Sequence, residues 1–190
     1  MNHAAFAVPA IDVDPDKVRL VLIAEAPPAE PGQGMYAGPE ALHAQTTLLA
    51  FEEGGLKVPS VAALLERGIY LTTAVKCAKT GYAIEGATVA HCSTLLEQEL
   101  APLSGVRAYL LMGDVAIRAL NEIARRRTGR RVVPAGATYR LRGGDFSYGE
   151  TRVYPSYLQA GPSFFIEKSK RRMIAEDIAS ALARAGIDRG

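Results

Sequence analysis

Residues Val18 to Pro28, VRLVLIAEAPP, set the tightest limit on the fold. Within Arg19 to Ala24, Leu20 to Ala24 is an unbroken apolar run with β-branched members, and it stops at Glu25, followed by Pro27 and Pro28. A strand covered on one face alternates apolar and polar residues, whereas one covered on both faces does not. The run therefore predicts the first strand of a parallel sheet, with Glu25 at its carboxyl end. Open α/β sheets bind their ligands at that end. The two prolines end the strand and stiffen the turn, which fixes the direction of the carboxylate. A solvated strand-end glutamate fits the same stretch.

The remaining segments repeat the theme. Ile69 to Val75 (IYLTTAV) predicts a second strand, with Lys76-Cys77 at its end, and Arg107 to Met112 (RAYLLM) a third, turning at Gly113-Asp114. Thr151 to Tyr154 reads as a fourth, closed by Pro155-Ser156. Helical spacing places helices at Glu40 to Glu53, Thr88 to Leu100, Val115 to Arg127 and Phe164 to Ala185. A short one at Ser60 to Arg67 has Ser60 as N-cap. Ala29 to Pro39 is a Gly/Pro-rich loop, and Tyr139 to Tyr148 reads as a small hairpin or irregular segment. Alternating strands and helices predict a three-layer α/β/α domain around a central four-stranded parallel sheet. The whole chain, residues 1–190, is expected to form one domain, with 1–16 as an irregular arm.

Composition excludes several classes. No apolar stretch approaches the roughly 18 residues of a membrane span. The amino-terminal MNHAAFAVPAIDVDPD lacks a basic region followed by an apolar core, so no secretory signal is expected. Two cysteines make no disulfide framework, which suits a reducing cytoplasm. The net charge of +2 carries little information, but its distribution does. Seven arginines and no acid lie between Arg125 and Arg142, and KSKRR at Lys168 to Arg172 opens the last helix. Such clusters suit phosphate backbones, although a solvated helix face is the commoner meaning of any one of them.

Taken together, the strand ends and the loop carry AEAPP (24–28), MYAG (35–38), TAVKC (73–77), MGDVA (112–116) and YPSYL (154–158). In order and spacing they resemble the uracil-DNA glycosylase superfamily, most closely its iron–sulfur bacterial and archaeal branch, over residues 18 to about 182. The resemblance implies hydrolysis of the N-glycosidic bond of uracil or another deaminated base in DNA. Breaking that bond builds positive charge on the sugar and negative charge on the base, so a carboxylate beside the sugar and donors beside the base both help. Glu25 is the implied carboxylate, beside Ala26, and Tyr36 the ring on which a flipped base stacks. Thr73 stands at the base-reading position, Tyr154 at that of a catalytic histidine. Ser156 is implied in phosphate contact, with Tyr157 or Leu158 as the wedge in the gap left by the flipped nucleotide. Lys168, Lys170 and Arg171 are the expected DNA-binding cations.

Three departures temper this. Thr73 replaces an asparagine and satisfies only part of the hydrogen-bonding edge of uracil. Tyr154 replaces a histidine and cannot act as a cation near neutral pH. A cluster needs four thiolates, and only Cys77 and Cys92 are present, so no cofactor is expected. His91 beside Cys92 suggests zinc, but no further ligand is apparent, so no metal is expected either. Three readings stay open: an active glycosylase, a weak or inactive DNA-binding relative, and an unrelated α/β enzyme acting on a nucleotide or small molecule. DNA is the expected partner of the first two, with the protein a monomer, cytoplasmic and off the membrane.

Overall fold

The computed structural model describes residues 11–30, 32–79, 81 and 83–189. The first ten residues of the expected arm lie outside these. Twelve elements follow in order: β1 (Leu20–Ala24), α1 (Leu42–Glu53), α2 (Val61–Glu66), β2 (Ile69–Thr73), α3 (Gly86–Leu100), β3 (Ala108–Met112), α4 (Asp114–Thr128), α5 (Thr138–Leu141), β4 (Phe146–Tyr148), β5 (Thr151–Ser156), α6 (Ser163–Ile166) and α7 (Lys168–Ala185). The strands form one sheet in the order β2-β1-β3-β5-β4.

Four strands, β2-β1-β3-β5, run parallel, as the apolar runs require. The expectation of a four-stranded parallel sheet is corrected by a fifth strand, β4, which pairs antiparallel with β5. The turn between them is only Gly149-Glu150, with Gly149 at φ 60°, and so short a connection can only reverse the chain. Every residue of β1 and β3 is buried, which accounts for their lack of alternation.

Each face of the sheet has its own apolar layer. One gathers Val21, Ile23, Tyr109 and Leu111 with Val89, Cys92 and Leu96 of α3 and Val115, Ala119 and Leu120 of α4. The other gathers Leu20, Leu22, Leu71 and Leu110 with Phe51 of α1, Leu64 of α2, and Ile178 and Leu182 of α7. Helix ends follow local chemistry. The Ser60 hydroxyl accepts from Ala63 N–H at 3.2 Å, and α4 ends on Gly129 in the left-handed region.

Two further expectations are corrected. The segment at Tyr139 to Arg142 is a helical turn, α5, held by burial of Leu141. The terminal helix is two helices, broken at Glu167, whose ψ of 71° is not helical. Neither proline nor glycine marks the break. Tertiary packing sets it, with Phe164 buried while Phe165 and Ile166 face solvent.

Candidate active site

Glu25 is positioned by backbone pairing. Parallel bonds continue beyond β1: Ala74 N–H donates to Ala24 O at 2.8 Å and Val75 N–H to Glu25 O at 2.9 Å. Lys79 N–H donates to Pro27 O at 3.0 Å and ties the proline turn to the segment after β2. The Glu25 side chain, 16% exposed, pairs with Lys79 Nζ at 3.6 Å. Its Oε1 receives a long contact, 3.5 Å, from Val115 N–H in the first turn of α4. A helix amino-terminus favours an anion there. Gly113 permits the approach: a Cβ on it would lie 2.6 Å from Oε1.

Beside this strand end lies a cavity of about 300 Å³. Pro27, Pro28, Met35, Tyr36, Leu71 and Thr73 are among its walls, with His43, Thr72, Lys76 and Glu99. The volume is at the lower end for ligand pockets, roughly 300–1,000 Å³, and suits one small planar ring system better than an extended ligand. Glu25 does not line it. Thr73, the β2 partner of Ala24, does, so carboxylate and cavity are neighbours across two adjacent strand ends.

Tyr36 is held by the sheet itself. β2 is an edge strand, with backbone groups facing away from β1. The Tyr36 hydroxyl donates to Leu71 O at 2.7 Å and accepts from Leu71 N–H at 3.2 Å, so it satisfies both. Burial raises its pKa above the ordinary phenol range. The ring therefore stands as a fixed wall of the cavity. Gln33 fixes the start of α1: its Oε1 accepts from Leu42 N–H at 2.8 Å and its backbone carbonyl from His43 N–H at 3.3 Å. No N-cap side chain serves that end.

His43, on the first turn of α1, is 5% exposed, and its Nε2 has no hydrogen-bond partner. An orphaned buried polar atom costs about 1–3 kcal/mol. Burial pushes the pKa of the imidazole down to about 4, so near neutral pH the ring is uncharged. Lys76 is buried too. Its ammonium donates to Thr72 Oγ1 and to Thr73 O, each at 2.8 Å, and to Glu99 Oε2. Glu99 Oε1 accepts from Tyr70 and Thr72 hydroxyls, each at 2.6 Å. Burial pushes the Lys76 ammonium below its ordinary pKa, against the pull of Glu99.

Several expected site residues lie elsewhere. Tyr154 pairs in register with Leu110, itself opposite Leu22, three residues short of Glu25. At about 3.3 Å per residue it lies some 10 Å below the level of Glu25 along the strands. It lines a separate polar groove with Asp145, Glu150, Arg152 and Arg184, and the Arg152 guanidinium lies 5.6 Å from its ring centroid. Strand β5 runs two residues past Tyr154, to Ser156, so Tyr154 lies within the strand and not at its end. Ser156 is fully buried and donates to Asp177 Oδ2 at 2.5 Å. Ala26 packs against the layer under α3 and α4 and does not line the cavity.

Tyr157 and Leu158 are half-buried against the layer on the α7 side. Among the described residues the exposed large hydrophobic side chains are Tyr139, 58% exposed, and, just before α7, Phe165, 44%, and Ile166, 77%. Lys170 pairs with Glu167 at 2.6 Å and sits over the Tyr157 ring, while Arg171 is bound to Glu53. Lys168 is exposed and enters no ion pair among the described residues. In the arginine stretch, Arg125 pairs with Glu122, Arg126 and Arg127 with Glu97, and Arg142 with Asp177.

An iron–sulfur cluster does not fit this chain. Cys77 and Cys92 are its two cysteines, and both are buried in the apolar layer beneath α3 and α4. His91 is exposed. Among the described residues no three His, Cys, Asp or Glu side chains group to hold a metal ion.

Sequence reasoning missed His43, Glu99 and Lys79. Glu99 had a signal: it lies seven residues after Cys92 and three after Leu96, on the inward side of α3. An acid at an inward position calls for a partner. His43 had none, because its neighbours give no clear apolar stripe.

A doubly covered parallel sheet with an acid and a small cavity at its carboxyl ends has the α/β architecture that places its ligand site at the strand ends. The family model described as the uracil DNA glycosylase superfamily matches residues 11–177, and the chain belongs to that superfamily. Membership supports a DNA glycosylase-like function, a hydrolase of base excision repair with DNA as substrate. No curated protein matches the chain. No helix among the described residues is long and apolar enough to cross a membrane.

Proposed function

We propose that the cavity receives a uracil or other deaminated base turned out of DNA, and that Glu25 directs water at the sugar carbon left behind. One observation carries this reading: an ionisable carboxylate one register step from a base-sized cavity walled by a fixed tyrosine ring. The C1′–N bond breaks with its electron pair leaving on the base, and the sugar becomes cationic. The water oxygen then bonds C1′ and gives up a proton toward Glu25. Lys79 and the amino-terminus of α4 hold the carboxylate in place. Tyr36 stacks on the base, and the Thr73 hydroxyl meets its edge. Ala26 contributes backbone shape beside Glu25. Phe165 and Ile166, rather than Leu158, supply the apolar wedge, flanked by Lys168 and Lys170. One domain, acting as a monomer in the cytoplasm, is sufficient for this chemistry.

Single-turnover cleavage of labelled oligonucleotides carrying U, hypoxanthine or xanthine, followed by alkali, tests the proposal. At least one base should yield alkali-labile breaks, faster in duplex than in single strands for wild type but not for Ile166→Ser. Glu25→Gln should lower the rate by about 100-fold or more. A weak or inactive DNA-binding relative is the second reading. It draws on Tyr154, a phenol where the resembled family has a histidine and set two residues inside its strand, and it predicts salt-sensitive binding without breaks on any base.

A further inference from the structure

Most buried polar side chains of the cavity wall are already engaged. Lys76 donates to Thr72, Thr73 O and Glu99, and the Tyr36 hydroxyl is occupied by Leu71. His43 is the exception: the residue is part of the wall and 5% exposed, and its Nε2 is buried and finds no partner. A neutral ring nitrogen is either a donor or an acceptor, and in either state it needs a partner. The fold supplies none, yet it holds this residue closely. Gln33 O accepts from His43 N–H, and the Thr47 hydroxyl donates to His43 O at 2.7 Å. Thr47 in turn accepts from Gln159 Nε2 at 3.2 Å, and Gln159 Oε1 is likewise buried without a partner. Two unsatisfied groups thus hang from one turn of α1.

We propose that His43 reads the base, its imidazole hydrogen-bonding the edge of a deaminated pyrimidine or purine where the Thr73 hydroxyl is too short to complete the contact. This rests on the reading of the cavity as a base pocket. Uracil, hypoxanthine and xanthine share a carbonyl beside a ring N–H. Imidazole carries one donor and one acceptor nitrogen, so it can meet either half of that edge. His43 is thus a specificity-determining residue, with no part in breaking the bond.

The test uses the full chain labelled with 15N-histidine, which has three histidines to assign. Free uracil, hypoxanthine and xanthine are titrated in turn, and binding is followed independently by tyrosine fluorescence. For the base that binds, the His43 ring nitrogens should shift, and His43→Leu should weaken binding about tenfold, the loss of one buried hydrogen bond. His43→Gln, which keeps a donor and an acceptor, should restore part of it. Should His43→Leu fail to fold, the wild-type spectra still decide. Binding of a base with the His43 signals unmoved overturns this inference and leaves the base pocket standing. If none of the three bases binds, while the protein is folded, both readings fall.

Discussion

Gly113 shows how much one missing methyl group can matter. Its φ of 95° is a conformation that other residues rarely adopt, and a Cβ there would press on the Glu25 carboxylate. Gly113→Ala should therefore lower stability by about 1–3 kcal/mol and cut base release more steeply than the melting shift accounts for. Thermal melts beside the single-turnover assay would show this. His43 makes a pH prediction. Its folded pKa of about 4 lies below the unfolded value of about 6.5, so between these the unfolded chain binds a proton that the folded chain refuses. Stability is thus intact above about pH 6.5 and falls as the pH drops toward 4, by roughly 3 kcal/mol in all. Urea denaturation across that window should show the fall in wild type and a flatter profile in His43→Leu. Glu25 was legible in the sequence because an acid ended an apolar run. His43 was not, since burial of a lone imidazole depends on a loop, held by Gln33, that folds across it.

Among the elements, the buried Lys76–Glu99 contact ties the end of β2 to α3. The two partners are not equivalent. Glu99 keeps two hydroxyl donors, Tyr70 and Thr72, if the lysine is lost. Lys76 would keep Thr72 Oγ1 and Thr73 O, but at 6% side-chain exposure against 23% for Glu99 it would be the more deeply buried charge left without a counter-charge if its partner were lost. Glu99→Ala should then cost about 3 kcal/mol and Lys76→Met distinctly less, measured by urea unfolding. The strands were readable because β1, β2 and β3 are near-continuous apolar runs. The pairing of Phe146 to Tyr148 with β5, in place of Tyr139 to Arg142, and the break between α6 and α7 were not, since both depend on what packs against them. Tyr154 shows the same limit. A motif gives a residue's place in the chain, while strand register decides whether it reaches the site.

Over the whole molecule, the basic clusters are less available than their composition suggests. Arg125, Arg126, Arg127, Arg142, Lys170 and Arg171 all face carboxylates. Exposed Arg130, Arg131, Arg140 and Lys168 are in no ion pair among the described residues. Each phosphate neutralised contributes about −0.9 to the salt slope of duplex binding, so phosphate contacts by these four cations should give log K against log salt a slope of about −4. Lys168→Ala should make it shallower by about 1, read by fluorescence anisotropy at several salt concentrations. Most of these pairs join residues far apart in sequence, such as Arg171 and Glu53, which is why sequence clusters overstated the free charge.

The anchoring of the Tyr36 hydroxyl to Leu71 reaches beyond the pocket wall. A platform latched to a sheet before any guest arrives loses no freedom when the guest lands, so the entropy of docking falls on the nucleotide alone. It also cannot swing aside afterwards. A liberated base should therefore linger on it, and product should compete with substrate.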